Sequence, residues 1–513
     1  MWNRWLAVFV LAVFFVFKGW ANECVPRSFG ADQIVCVCNA TYCDSTPDNV
    51  PKVPENGTVY WYVSSKGGLR MNLAKLQAAD TCQNTSSGTV VDIDTSKRYQ
   101  RIFGFGGAFT DSAGMNIANL SEATQDQLIR AYYHPVQGSR YLLGRVPIGG
   151  TDFSTRPYTY DDSPNDVLLR NFSLAPEDYN YKIPYIRKAL ELNPEVKLFS
   201  AAWSPPPWMK TNDKINGFGF LQEKYYQTYV NYLLKFLDAY KSFNISIWAI
   251  STGNEPLNAF IPLDPLNTMG WTPKTLGNWV ANNLGPSLAN SVHNGTLILA
   301  LDDQRIELPW SIQQLFQNKI AEMYTAGIAV HWYTDDFIPS TVLDLTHNSF
   351  PNKFIMLTEA CTGTGIEFPK VDLGSWSRGQ RYILSIIDYL NHWAIGWVDW
   401  NLALNTQGGP NWINNNVDAP IIVVPETDEF YKQPMYYALK HLSRFVERNS
   451  VRVSVTSTST VPATAFVTPS QEVVVVLYNN LDQPTSVTLR DSNKEDICLE
   501  LPAYSINTVI YAL

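Results

Sequence analysis

Two glutamates each close an apolar, strand-like run. Glu255 ends Ile-Trp-Ala-Ile-Ser-Thr-Gly-Asn-Glu and Glu359 ends Phe-Ile-Met-Leu-Thr-Glu. About 100 residues lie between them, the length of roughly three strand–helix units. A carboxylate at a strand end is costly to desolvate. It either neutralises a neighbouring Arg or Lys, or it does chemistry. Two such carboxylates, with Trp and Asp residues at other strand ends, match the acid/base and nucleophile of a glycosidase. In that reading Glu359 starts ionised and attacks the anomeric carbon. Glu255 starts protonated, its pKa raised by burial and by the neighbouring anion. Asn254 can hydrogen-bond the sugar 2-hydroxyl, while Asp111, Trp203 and Trp400 hold other hydroxyls and the apolar ring face.

Other chemistries lack their residues. The six His show no His-Glu-X-X-His pattern, so no metal or other cofactor is expected. There is no Gly-X-Ser-X-Gly elbow. Gly104-Phe-Gly-Gly107 lacks the Lys-Ser/Thr ending of a phosphate loop and reads as a tight strand-end turn.

The elements that must position these residues follow from eight short apolar runs: 102–108, 141–147, 196–202, 245–251, 296–301, 327–333, 353–360 and 395–402. Segments with helical spacing separate them, as at 225–240 and 376–393. Near-continuous apolar strands alternating with helices predict parallel pairing, and eight of them predict an α/β chain built on a (β/α)₈ barrel. Strand ends then carry Asp111, Arg145, Asp152, Trp203, Glu255, Asp302, Asp303, His331, Tyr333, Glu359 and Trp400. Strands four and seven face each other across a barrel mouth, which suits retaining hydrolysis. From Val451 onward, Val, Thr and Ser alternate between turn signals, and residues 46–98 look similar. The two chain ends are expected to share a β-sandwich appended to the barrel.

Residues 1–21 carry Arg4, an apolar run from Trp5 to Phe17 and small residues at a cleavage position. The run is too short to span a bilayer and reads as a cleaved signal peptide. Sequons at Asn39, Asn56, Asn84, Asn119, Asn171, Asn244 and Asn294 fit a secreted glycoprotein. Cys24, Cys36, Cys38 and Cys43 are expected to form two disulfides stapling a small N-terminal piece. Cys82 and Cys498 can pair if the chain ends share a domain, leaving Cys361 free. Aromatic content of 13% with 16 Trp suits sugar-ring contacts as well as core packing. A net charge of −9 argues against nucleic acid and against unaided electrostatic binding to anionic lipid at neutral pH.

Several segments resemble the lysosomal β-glucosidase branch of glycoside hydrolase family 30. They are 35–44, Gly104-Phe-Gly-Gly-Ala-Phe-Thr-Asp111, Leu301-Asp-Asp-Gln-Arg305, Ala329-Val-His-Trp-Tyr333, 396–405, 408–412 and 431–435. The resemblance implies cleavage of glucosylceramide to glucose and ceramide, with Glu255 as acid/base and Glu359 as nucleophile. It implies glucose contacts from Asp111, Trp203, Asn254, Trp400 and Asn415, supported by His331 and Tyr333. It also implies bridges Cys24–Cys36 and Cys38–Cys43, a lysosomal address and peripheral rather than transmembrane contact with membranes. Its partners would be a saposin-type activator protein and anionic phospholipid. The implied division is a small β domain (22–47 with about 402–433), a β-sandwich (48–98 with about 450–513) and the barrel (99–401 with about 434–449). Gly253 stands where this family often has an acidic residue, and 216–224 and 362–373 also differ. The alternatives are a relative acting on a β-glucan, or a carbohydrate-binding protein without turnover.

Overall fold

The structure is a computed structural model that describes residues 22–48, 50, 52–82, 88–261, 265–492 and 494–513. The leader read at 1–21 and the Asn84 sequon lie outside the described residues. Eight parallel strands close into a barrel: β1 (Gly104–Ala108), β2 (Leu143–Ile148), β3 (Lys197–Ala202), β4 (Ile247–Ser251), β5 (Leu297–Gln304), β6 (Thr325–His331), β7 (Phe354–Glu359) and β8 (Ala394–Asn401). Each of the eight apolar runs became one barrel strand, with ends displaced by at most three residues.

The barrel is filled by side chains. Leu143, Phe199, Ala249, Leu299, Ala329, Met356 and Val398, one from each of β2 to β8, form a buried layer. Below it Phe103, Trp248 and Phe354 stack, with ring centroids 4.4 and 6.0 Å apart. The N-terminal end is thereby closed with apolar rings, and the polar strand ends gather at the opposite mouth. The strand β1 contains Gly104-Phe-Gly-Gly107, which corrects the expectation of a strand-end turn. A Cβ on Gly106 would lie 2.1 Å from the Leu143 carbonyl oxygen, so glycine lets β1 and β2 approach. Long amphipathic helices such as Tyr226–Ser242 and Trp376–Asn391 cover the outside, burying Tyr229, Leu233 and Phe236 in one and Tyr382, Ile383 and Ile386 in the other.

Both chain ends build a nine-stranded sheet. Thr58–Ser65, Asn72–Gln77 and Thr89–Arg101 join six strands between Val451 and Ala512. Val59, Val91, Val453, Val475, Leu489 and Val509, drawn from across that sheet, share one core. The sheet therefore wraps around its own apolar interior as a sandwich. Cys82–Cys498 ties its N-terminal part to its C-terminal part. A separate five-stranded sheet combines Pro26–Gly30 and Gln33–Asn39 with strands from Leu404 to Lys432. Cys24–Cys36 and Cys38–Cys43 staple it, and Cys361 is free and buried. Asn56, Asn119, Asn171, Asn244 and Asn294 are exposed; Asn39 is half-buried, its Oδ1 accepting from the Thr41 and Tyr42 amides. Among the described residues no helix is long and apolar enough to cross a membrane.

Candidate active site

The chain leaves β4 through Thr252-Gly253-Asn254-Glu255, and backbone geometry turns Glu255 back over the mouth. Gly253 has φ +141° and Glu255 has φ 42° in the left-handed region. The Asn254 N–H donates to the Ala202 carbonyl and the Glu255 N–H to the Asp302 carbonyl, which pins this turn to β3 and β5. Space exists around a Cβ at 253, with Ala202 O and Met269 Cε both 3.8 Å away, but the backbone there disfavours any L side chain. The departure at Gly253 thus answers a conformational demand. A non-glycine residue in the left-handed region, as at Glu255, is the kind of strain that gathers at functional sites.

The Glu255 carboxyl receives three donors: Gln304 Nε2 to Oε1 at 2.7 Å, Asn258 Nδ2 to Oε2 at 2.7 Å, and His331 Nδ1 against Oε1 at 2.9 Å. Glu359, the last residue of β7, pairs in register with His331 on β6. Its Oε1 accepts from the Tyr333 hydroxyl at 2.8 Å and its Oε2 from the Arg145 guanidinium. One potential ligand atom from each of Glu255, His331 and Glu359, a carboxylate oxygen or a ring nitrogen, lies within 4.8 Å of the others. This spacing admits a metal ion on geometry alone. The Glu359 carboxylate, however, already faces a buried guanidinium, a poor setting for a second cation.

Arg145 is fully buried and serves several partners at once. Besides Glu359, its Nη2 donates to Asn254 Oδ1 at 2.8 Å and Asp302 Oδ2 at 2.9 Å. Its guanidinium lies 4.9 Å from the Trp203 ring centre and 5.3 Å from that of Trp400. Those two rings stack on each other at 5.2 Å. His331 completes the network, with Nε2 3.1 Å from Asp302 Oδ1. Burial opposes charge on His331, yet Glu359, Asp302 and Glu255 hold the imidazolium up to about 10. With both nitrogens protonated, the ring donates to Glu255 and Asp302 together. Burial pushes the Asp302 carboxyl upward, but Arg145 and His331 outweigh it and keep it well below the usual range. The Glu359 carboxyl is pushed up, by burial first and by the charge of Glu255, against the pull of Arg145 and His331. Two cations thus stand among three carboxyls.

Asp111 opens the helix Asp111–Ala118 after β1. Its Oδ2 accepts from Ser154 at 2.6 Å and Tyr158 at 2.9 Å, and its Oδ1 meets no hydrogen-bond donor, with Lys182 Nζ 3.5 Å away. Asn415 reaches the mouth from the segment after β8 and donates to Asp152 Oδ2 at 2.9 Å. Burial and the charge of Glu359 push Asp152 up to about 7.

Residues 102–446 match the Glycosyl hydrolase family 30 TIM-barrel domain and residues 449–509 the Glycosyl hydrolase family 30 beta sandwich domain. The chain belongs to glycoside hydrolase family 30. It is 42% identical over 511 residues to a mouse (Mus musculus) protein named lysosomal acid glucosylceramidase, covering 97% of this chain and 98% of that one. An endo-1,6-beta-D-glucanase of Neurospora crassa is 28% identical over 387 residues, 74% of this chain and 77% of its own. The crystal structure of SrfJ from Salmonella typhimurium superposes with a TM-score of 0.82 at 27% identity, covering 89% of this chain and all of that one. This family 30 chain is a glycoside hydrolase.

Of the residues singled out in the sequence, Glu255, Glu359, His331, Tyr333 and Asn254 are joined in one hydrogen-bond network through Arg145 and Asp302. Trp203, Trp400 and Tyr333 share an apolar cluster beside it. Asp111 and Asn415 are linked instead to the loop after β2, through Ser154 and Asp152. Sequence reasoning gave no role to Gln304 or Asn258, the two amides on Glu255. The sequence signals for Gln304 were its place at the end of an apolar strand, directly after two aspartates, and within the family-like segment Leu301-Asp-Asp-Gln-Arg305.

Proposed function

We propose that this family 30 hydrolase is a retaining β-glucosidase that cleaves glucosylceramide to glucose and ceramide, with Glu359 as nucleophile and Glu255 as acid/base. The observation that carries the reading is the approach of the Glu255 and Glu359 carboxyl oxygens to within 4.8 Å. Retaining glycosidases hold their carboxyls about 5–5.5 Å apart, whereas inverting ones leave room for a water at about 6.5–9.5 Å. Arg145 and the Tyr333 hydroxyl orient the ionised Glu359. That carboxylate attacks the anomeric carbon while Glu255 gives its proton to the departing ceramide oxygen. Glu255, now ionised, takes a proton from water, whose oxygen attacks the same carbon and releases Glu359. Asn254, held by Arg145, is offered to the 2-hydroxyl, where hydrogen bonding strengthens in the transition state. Asp111 and Asn415 take other hydroxyls, and the Trp203 and Trp400 rings pack on the sugar.

The rim of the mouth supports a lipid substrate. Phe218, Phe260, Ile261, Phe337, Ile366 and Phe368 project from loops after β3, β4, β6 and β7, with Phe337 84% and Phe368 90% exposed. Exposed aromatics crowded around one mouth mark an interaction surface rather than chance. A ceramide held in a membrane, delivered by a saposin-type activator and anionic phospholipid in the acidic lumen of the lysosome, fits that rim. Glucose release from glucosylceramide in anionic micelles at acidic pH tests the reading. Wild type should release glucose and both Glu255→Gln and Glu359→Gln should not. With a saposin-type activator added, cleavage of an aryl β-glucoside without cleavage of the lipid would refute the lipid assignment while leaving the two-carboxylate chemistry intact.

A further inference from the structure

Beside the turn that follows Glu255 lies a cavity of about 230 Å³ that the hydrolysis does not use. Leu301 of β5, Leu276 of the helix Pro273–Trp279, and Ile312 and Leu315 of the helix Trp310–Leu315 give it apolar walls. Pro256 and Leu257, which come directly after Glu255, form another side. Phe260 and Trp310 also line it and are 42% and 45% exposed, so the cavity reaches the surface. An apolar cavity of about 150 Å³ takes up benzene, so there is room here for an aromatic ring with a short chain.

Two polar groups lining this cavity lack partners. Glu307 closes the turn Arg305–Glu307 and is 8% exposed, and its Oε1 is buried without a hydrogen-bond donor. Trp271 is 6% exposed, and its indole N–H is buried without an acceptor. The neighbouring guanidinium of Arg305 is turned to Asp335 and Asp388, and among the described residues Glu307 pairs with no cation. The Trp310 N–H, by contrast, is taken by the Ile306 carbonyl. A buried acceptor and a buried donor left unmet are each costly, and a molecule that supplies both partners recovers that cost. The acceptor is a carboxyl oxygen, for which an ammonium is a strong complement. Burial pushes this carboxyl up, and an ammonium held against it favours the ionised form. The indole N–H asks for a neutral oxygen, which a bare cation does not bring.

We propose that this cavity is a binding site for an apolar amino alcohol. The ammonium pairs with Glu307 Oε1, the hydroxyl oxygen accepts from Trp271 Nε1, and the hydrocarbon body packs between Leu276, Leu301, Ile312 and Leu315. The site is separate from the carboxylates of the mouth and does not depend on which β-glucoside is hydrolysed.

Calorimetric titration with phenylalaninol at pH 7 tests this, since that molecule carries an ammonium, a hydroxyl and a phenyl body. Wild type should bind one equivalent, and Glu307→Gln should bind at least ~10-fold more weakly, the worth of one charge-assisted hydrogen bond. Trp271→Phe keeps an aromatic wall but no N–H, and should weaken binding ~3-fold or more. Glu307→Gln should keep wild-type activity on an aryl β-glucoside, as expected of a residue outside the mouth. The mouth carboxylates are the competing place for an amine, so Glu359→Gln should bind phenylalaninol as wild type does. Weakened binding in Glu359→Gln with unchanged binding in Glu307→Gln would move the amine to the mouth and overturn the proposal, as would no binding to wild type. Should Glu307→Gln fail to fold, phenylpropanol, which lacks the amine, decides on the wild-type protein. It should bind at least ~10-fold more weakly than phenylalaninol, and equal binding overturns the pairing of ammonium and carboxylate.

Discussion

His441 should make the protein lose stability as the pH falls, and replacing it with glutamine should remove a calculable part of that loss. The imidazole is fully buried at the seam between the last barrel helix, Pro434–Ser443, and the sandwich. Its two nitrogens lie 2.8 Å from Thr508 Oγ1 and 2.8 Å from Ser64 Oγ. Burial, and next the neighbouring Lys440, depress its pKa to about 3. In the unfolded chain an ordinary histidine takes up its proton near pH 6.5. The folded value is the lower one, so the contribution is complete above pH 6.5 and declines as pH falls, until the folded ring is protonated near pH 3. At pH 5 the unfolded state has gained about 1.5 pH units of binding free energy, or ~2 kcal/mol. Glutamine offers one donor and one acceptor to the same hydroxyls and does not titrate. Lys440, lowered to about 7 by its own burial and by Lys432, contributes to both proteins alike. Denaturant unfolding followed by tryptophan fluorescence at pH 7 and pH 5 measures the effect. Between those pH values wild type should lose ~2 kcal/mol more than His441→Gln. Equal losses in the two proteins would show that the ring is protonated in the native state and would refute the argument.

The other expectations concern the mouth. Arg145→Lys should lower kcat/KM by ~10²–10³, since a single ammonium cannot serve Glu359, Asp302 and Asn254 together; steady-state kinetics on an aryl β-glucoside will read it. Tyr333→Phe removes a hydrogen bond to ionised Glu359, whose carboxyl burial already pushes up. The acid limb of kcat/KM should therefore move to higher pH, because the proposed nucleophile must be ionised; a limb that stays or moves down contradicts this. Gly253→Asp places a side chain on a backbone with φ +141°, at a cost of about 1–3 kcal/mol. It should reduce both the melting temperature and kcat, and wild-type values of both would show that the turn relaxes freely.

Much of this molecule is legible in the chain because local rules write it. The barrel strands are buried on both faces, so each reads as an unbroken apolar run, and parallel pairing follows from the helices between them. The tail alternates because a sandwich strand has one face inside and one outside. Glu255 and Glu359 stood out because a carboxylate at the end of such a run has no local reason to be there. The sequence could not assign donors, since hydrogen-bond partners are brought together by barrel closure across long separations. Arg145 meets residues 109 to 214 positions away, and its placement between Glu359, Asp302 and Asn254 exists only once β2, β4, β5 and β7 surround a common axis. The same holds for the charge on His331, which is set by two carboxyls on β5 and β7 and one on the turn after β4, against the cost of burial. The pairing of Cys82 with Cys498, 416 residues apart, likewise waited on the two ends meeting in one sheet. Composition and periodicity fix which residues are strands and which strand ends are polar, because those follow from each residue's neighbours along the chain. Which polar groups share a cation or a substrate is decided by distances across the folded barrel, and no one-dimensional pattern encodes them.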